Sequence, residues 1–280
     1  MRVAYFPNSC ALNSVPVVQA MLDSLRSADH TVEQNSMTAD AAIIWSVLWA
    51  GRMAENKKIY EHYRAQGKPV IIADVGALYR GETWKIAVNH INRLGYYGHT
   101  ENLDMDRPRK LGISLALNLS KNPAILIAAQ HRFSLQLANQ NHEEWIMEQI
   151  EAIRQVSDRP IVIRPHPRSP LNMASLNKTI TVEKPAKIAD TYDSFDMHFD
   201  YHAVVNYCSG PGIQAAIAGT RPIVGTYSLA LPVSVAIENL DRPYDTDRDQ
   251  WLIEICHTEY TVKEIEQGLW IQRLQSHLTQ

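Results

Sequence analysis

Residues 161–170 read IVIRPHPRSP. Three β-branched apolar residues, Ile161 to Ile163, run straight into Arg164, His166 and Arg168, with prolines at 165, 167 and 170. Two guanidiniums and an imidazole are donors suited to phosphate oxygens, and the prolines lower the entropy of holding them in place. In open α/β sheets ligands bind beyond the carboxyl ends of strands, which is where this cluster falls. A structural reading competes, in which Arg164 caps a neighbouring helix and His166 bonds a carbonyl. Three donors packed so closely at one strand end favour anion binding.

A second signal is NYCSGPGIQAAIAGTRPIVG, residues 206–225. An apolar run ends at Tyr207, the small residues Ser209, Gly210 and Gly212 form a turn, and a small-residue helix begins. Amides at a helix N-terminus, backed by the helix dipole, make a phosphate site, and glycines let a ligand approach the backbone. The segment is neither a Walker loop nor the GxGxxG fingerprint. Glycine serving only to turn the chain is the plain alternative.

These residues need elements to position them. Short apolar runs alternate with amphipathic stretches throughout the 280 residues. Strands are expected at 2–6, 41–49, 68–76, 124–130, 159–167, 203–207 and 221–225, and helices at 14–28, 54–67, 142–157 and 212–219. Two further helical runs fill the tail. Residues 76–123 break the pattern and end in the turn LSKNP. Alternating strands and helices imply parallel sheets covered on both faces. The expectation is an α/β protein of two Rossmann-like domains facing across a cleft, 1–120 and 121–280, with the last helix packing back on the first.

Bulk properties narrow the function. The net charge of −3 gives no global basic balance of the kind nucleic-acid binding by electrostatics usually shows. Locally, residues 80–110 hold six cations against four carboxylates. No apolar run approaches the roughly 18 residues of a membrane span. The first residues lack the apolar core and cleavage site of a signal peptide. Cys10, Cys208 and Cys256 are scattered and odd in number, which suggests neither a disulfide framework nor a zinc site and favours the cytoplasm.

RPHP followed by the SG…Q-A…G-T-R-P-I-V segment resembles the donor-binding half of GT-B glycosyltransferases. The resemblance is closest to the branch of capsule-type sugar transferases and polymerases of glycerol-phosphate units. It implies that His166, with Arg164 and Arg168, and the turn Ser209–Gly210–Gly212 face the donor diphosphate. An acidic residue that commonly holds the ribose is replaced here by Gln214. Gln130 and His131, in AAQHRF, are implied to line the cleft opposite the phosphates. IWSVLWAGRMAENKKIYEHYRAQGKPVIIADVGALYRGETWKIAVNHINR is similar to small bacteriophage-encoded proteins thought to be glycosyltransferases. The resemblance spans roughly residues 40–270. Some phage GT-B enzymes glucosylate hydroxymethylated pyrimidines. The expected acceptor is therefore 5-hydroxymethylcytosine or a related base in double-stranded phage DNA, in the host cytoplasm, with a UDP-sugar such as UDP-glucose as donor.

Transfer to a hydroxyl requires a base and a cluster that stabilises the leaving diphosphate. Asp74, ending VIIAD, is the first candidate base and Glu82 the second, with His62 and His90 behind them. A loop-ordering carboxylate is the alternative role for Asp74. Trp84, Lys85, Asn89, Asn92 and Arg93 suit acceptor recognition by stacking, pairing and charge, whereas Trp45 and Trp49 read as core or cleft wall. His257 with Glu259 and Glu264 matches no metal-ligand spacing and reads as amphipathic helix. The acidic stretch 190–202 reads as a loop and short helix. No metal and no cofactor are expected, the nucleotide sugar being a co-substrate. Competing functions are a transferase acting on a surface polysaccharide or polyol-phosphate polymer, a nucleotide-sugar epimerase, and a nucleotide-binding phage protein without turnover.

Overall fold

The computed structural model describes residues 1–117, 121–137, 140–171, 180–184 and 198–278. The chain opens with β1 (Arg2–Tyr5), α1 (Val15–Ser27), β2 (Thr31–Gln34) and β3 (Ala41–Trp45). Next come α2 (Asn56–Ala65), β4 (Val70–Val75), β5 (Thr83–Val88) and a single turn of helix, α3 (Arg107–Lys110). A second series holds β6 (Ile125–Ala128), α4 (His142–Val156), β7 (Ile161–Arg164), β8 (Ile180–Val182), β9 (Ala203–Asn206), α5 (Gly210–Ile217) and β10 (Arg221–Val224). The tail is α6 (Asp249–Cys256), β11 (Glu259–Thr261), α7 (Val262–Glu266) and α8 (Leu269–Leu278).

Two compact units result. The first joins Met1–Arg107 to Glu254–Gln280, and the second is Pro108–Ile253. The first unit has a six-stranded sheet ordered β11-β5-β4-β3-β1-β2, in which β5 alone runs antiparallel to the other strands. The second has a wholly parallel sheet ordered β10-β9-β6-β7-β8. In both, the central strands are apolar runs buried on both faces, as parallel sheets covered by helices require. These are two Rossmann-like domains.

The observed division falls at residue 107 rather than 120, and β11 and α7 join the first unit beside the last helix that was expected there. Arg107, buried, donates from Nε to the Cys256 carbonyl (2.6 Å) and from Nη2 to the Glu259 carbonyl (2.6 Å), and both of its Nη atoms reach the Glu264 carboxylate. Trp270 donates to Ser24 Oγ at 3.0 Å, fixing α8 against α1. The run 257–266, expected as one amphipathic helix, is instead strand β11 followed by α7. Tyr260 pairs with Trp84 across the sheet edge, and a Thr261–Glu264 capping box starts the helix immediately after. The Glu264 carboxylate is thus engaged by a cap and a guanidinium.

Three strands lie where the sequence pattern suggests none. β5 falls inside the stretch 76–123, and all six of its residues are buried. Its Thr, Trp and Lys break the apolar signature although the tertiary environment buries them. β2 and β8 are short edge strands with exposed, polar positions. Most of the acidic stretch 190–202 lies outside the described residues.

Gly76, in the turn after β4, has no room for a side chain. A Cβ there would collide with Glu259 Oε2 and with the Thr83 carbonyl. Gly76→Ala should therefore force apart β5 and β11 and destabilise the chain by about 2 kcal/mol, the usual cost of overpacking a filled core. Equilibrium urea unfolding of the variant and the wild type checks this, and equal midpoints would contradict the packing.

Candidate functional site

The ends of β6, β7 and β9 converge in the second unit, because these three strands are neighbours and parallel. His131 follows β6 and His166 follows β7, and their rings meet edge to face with centroids 5.0 Å apart. Each imidazole is held by a backbone amide two residues on. Phe133 N–H donates to His131 Nδ1 and Arg168 N–H to His166 Nδ1, both at 3.1 Å. An accepting Nδ1 places the proton of the neutral ring on Nε2, so both histidines are fixed as Nε2–H tautomers. Burial, with Arg168 and Arg132 nearby, pushes His131 down to about 4, against an opposing hydrogen bond with the Arg168 backbone. His131 is therefore neutral at physiological pH, and it buttresses the turn that carries His166.

Arg132 locks this turn from the other side. Its Nε donates to Ser169 Oγ (3.3 Å), and its Nη2 to the Pro170 carbonyl (2.8 Å) and the Glu143 carboxylate (2.9 Å). Gln130 links β6 to β9. Its buried amide oxygen accepts from Cys208 N–H at 3.3 Å, while its Nε2 is buried without a hydrogen-bond partner among the described residues. A buried amide donor without a partner is uncommon in a settled core and fits a place where a ligand oxygen docks.

The Ser209 turn is ordered by Asn206, which also donates to the Ser209 hydroxyl (3.0 Å), while that hydroxyl makes no cap bond to α5. Asn206, fully buried, donates to the Ala128 carbonyl (2.8 Å) and accepts from Ser209 N–H (2.8 Å). Gly210 begins α5, Pro211 offers no N–H, and Gly212 N–H returns to the Ser209 carbonyl at 3.3 Å. Gly212 is demanded by packing, since a Cβ would sit 2.8 Å from Val224 Cγ1. Packing alone is thus a sufficient reason for this glycine. Gln214 is partly exposed on α5.

The expectation for Arg164 is corrected. It points into the opposite face of the sheet, fully buried, where Nη2 meets Glu183 at 3.0 Å and Nη1 donates to the His198 carbonyl at 2.9 Å. Its guanidinium stands over the rings of Phe199 and Tyr201. Strand alternation decides this, because Arg164 shares a face with Val162 and not with Ile161 and Ile163. Of the three donors in RPHPR, His166 and the exposed Arg168 remain at the strand end.

In the first unit the ends of β3 and β4 bring Ser46 and Asp74 together. Ser46 adopts φ +65°, a conformation rare for a residue with a side chain. It aims its hydroxyl at Asp74 Oδ2 (3.1 Å), while Val75 N–H donates to Asp74 Oδ1 (2.7 Å). Burial raises the Asp74 carboxyl above its ordinary range, and bonds from Val75 and Ser46 and the charge of Lys85 oppose that rise. Glu82, the second candidate base, is exposed in the turn before β5.

The expected acceptor residues are mostly structural. Trp84 is buried against Trp45 with ring centroids 5.6 Å apart, so no face is open for stacking. Lys85 is buried with its Nζ 3.8 Å from Glu259. Asn89, at φ +68°, accepts from Val70 N–H, and buried Asn92 accepts from Leu94 N–H. Each shapes a turn at the edge of the sheet, away from the strand ends that carry Asp74. Arg93 is exposed. His62 bonds the Met37 carbonyl at 2.8 Å, and His90 contacts Tyr60, whose ring packs tilted against Trp49. A cavity of about 440 Å³ in this unit is lined by Arg107, His257 and Arg273 among others, but Arg107 is committed to Glu264 and His257 accepts from Asp104 N–H. Among the described residues no three His, Cys, Asp or Glu side chains come together as a metal set, and no helix is long and apolar enough to cross a membrane.

No family model and no curated protein sequence matches the chain. Two solved structures are similar along nearly its whole length. One is the Thermosulfurimonas dismutans KpsC β-Kdo 2,4-transferase, at TM-score 0.51 and 11% identity, covering 96% of this chain and 98% of that one. The other is the β-Kdo 2,7-transferase of the same organism's KpsC, at TM-score 0.51 and 12% identity, covering 97% and 99%. At such identities the likeness is one of fold.

The low affinity of folded His131 for protons has a consequence for stability. Its ordinary value is 6.5 and its folded value about 4, so between these the unfolded chain binds the extra proton. Stability must therefore fall as pH drops through that window. His131→Gln should show a smaller fall in thermal midpoint between about pH 7 and pH 4.5 than the wild type, as measured by differential scanning calorimetry. Identical pH slopes would show that the ring is not held neutral. These two strand-end constellations are set on two Rossmann-like domains whose fold is shared with sugar transferases.

Proposed function

We propose that the chain is a glycosyltransferase that moves a sugar from a nucleotide-sugar donor to a hydroxyl of a surface polysaccharide or related polymer. The observation that carries this reading is His166 at the end of β7, fixed as an Nε2–H donor by Arg168 N–H and braced by the neutral ring of His131. A preorganised donor at a strand end, with Arg168 two residues on, suits phosphate oxygens that gain charge as the sugar departs. Asp74 is the base in this reading. The acceptor hydroxyl gives its proton to the Asp74 carboxylate, its oxygen bonds the anomeric carbon, and the bond from that carbon to the phosphate oxygen breaks. The nucleotide leaves with the electron pair.

The likeness along nearly the whole chain to two Kdo transferases supports sugar transfer. A DNA acceptor has little support from the residues, since Trp84, Lys85 and Asn92 are buried. Donors to be tried include UDP-glucose and nucleotide-activated Kdo.

Mass spectrometry of oligosaccharide acceptors and of hydroxymethylcytosine-containing DNA, each incubated with a panel of nucleotide sugars, tests the assignment. A mass increase of one sugar on an oligosaccharide is expected. A product on DNA alone would replace the acceptor class. His166→Ala should lower kcat at least tenfold at saturating donor, since one donor to developing phosphate charge is worth more than about 1.4 kcal/mol. Activity should persist in EDTA. Full loss restored by magnesium or manganese would place a metal in the reaction.

A further inference from the structure

Ser46, Asp74, Lys85 and Glu259 form one row across four neighbouring strands. Asp74 pairs with Lys85 across β4 and β5, and Lys85 with Glu259 across β5 and β11, so all three side chains share a face. Ser46 extends the row into the end of β3 through its bond to Asp74. We propose that Lys85 is a positioning residue whose ammonium, in register with Asp74, favours the ionised carboxylate at the end of β4, with Glu259 competing for the same ammonium. The proposal rests on the reading of Asp74 as the base.

A buried ammonium must be paired, and Lys85 is only 6% exposed. Glu259, at 3.8 Å, is a loose partner because its oxygens already accept from Ala77 N–H (2.6 Å), Leu78 N–H (3.0 Å) and Thr83 Oγ (2.8 Å). The other carboxylate in register with Lys85 is Asp74. Ser46 faces Asp74 from β3 as a neutral donor, Lys85 is the charge facing it from β5, and Glu259 is the next charge in the row, on β11. Glu82 lies on the solvated turn that leads into β5. Burial alone pushes the Asp74 carboxyl up, which works against a base. Lys85 opposes that. The row therefore widens the pH range in which Asp74 can accept a proton.

Carbon-detected NMR titration of the Asp74 carboxyl in the full chain reads this directly, beside the pH profile of kcat/KM. Lys85→Met should raise the Asp74 midpoint by at least about one pH unit, the usual effect of losing an adjacent opposite charge. The acidic limb of the rate profile should move up with it, and Lys85→Arg should restore both. Glu259→Gln, which removes the competing negative charge, should shift the midpoint the opposite way, to lower pH. Lys85→Gln, which keeps a polar head of similar reach without the charge, keeps the test open if Lys85→Met does not fold. An Asp74 midpoint unchanged in Lys85→Met, or raised in Glu259→Gln, would overturn the proposal. A midpoint that moves while the rate profile stays fixed would uphold the Lys85 coupling and remove Asp74 from the role of base.

Discussion

The Glu259 carboxylate is the constraint on which the first unit depends. It is fully buried, and burying an unpaired charge would be prohibitive. Its two oxygens are instead saturated by Ala77 and Leu78 amides, the Thr83 hydroxyl and the Lys85 ammonium. These donors belong to the turn after β4 and to β5, whereas Glu259 comes from the far end of the chain. One side chain thereby holds the tail against the sheet, orders the turn beyond Asp74, and requires Gly76 at the point of closest approach. Arg107 repeats the strategy a short distance away, reading the Cys256 and Glu259 carbonyls and the Glu264 carboxylate at once.

The two constellations of polar residues are built on different principles. In the first unit a carboxyl is tuned by burial, by a hydroxyl and by a row of charges, as a proton acceptor needs. In the second, two imidazoles are oriented by backbone amides that donate to Nδ1, as donors to an anion need. Neither depends on a flexible side chain reaching across solvent. Both lie at the carboxyl ends of parallel strands, the position where an open α/β sheet leaves room for ligands.

The second unit also shows how a motif's letters divide their work. In RPHPR the first arginine serves the interior, where it pairs with Glu183 and stacks with Tyr201, and the histidine serves the strand end. In the SGPG turn, Gly212 serves helix packing and Asn206, just before it, does the ordering. A segment can therefore look wholly functional and still devote half of its polar groups to holding the other half in place.

The sequence by itself determined the architecture of alternating strands and helices, because apolar runs such as VIIAD and AILIA and helical periodicity are local properties of the chain. It also marked Asp74 and His166, each set at the end of such a run. The tertiary structure decided which polar residues are exposed. Lys85, Trp84 and Asn92 look like recognition residues in a polar stretch, yet β5 is buried between β4 and a strand contributed by the tail, and no local signal announces that pairing. Arg164 was turned inward by the alternation of a single strand, and Ser46 was brought to Asp74 by a backbone conformation that its residue type does not encode. Long-range pairing assigns a charged side chain to a partner or to solvent, and the partner, Glu259 for Lys85, stands at the other end of the sequence.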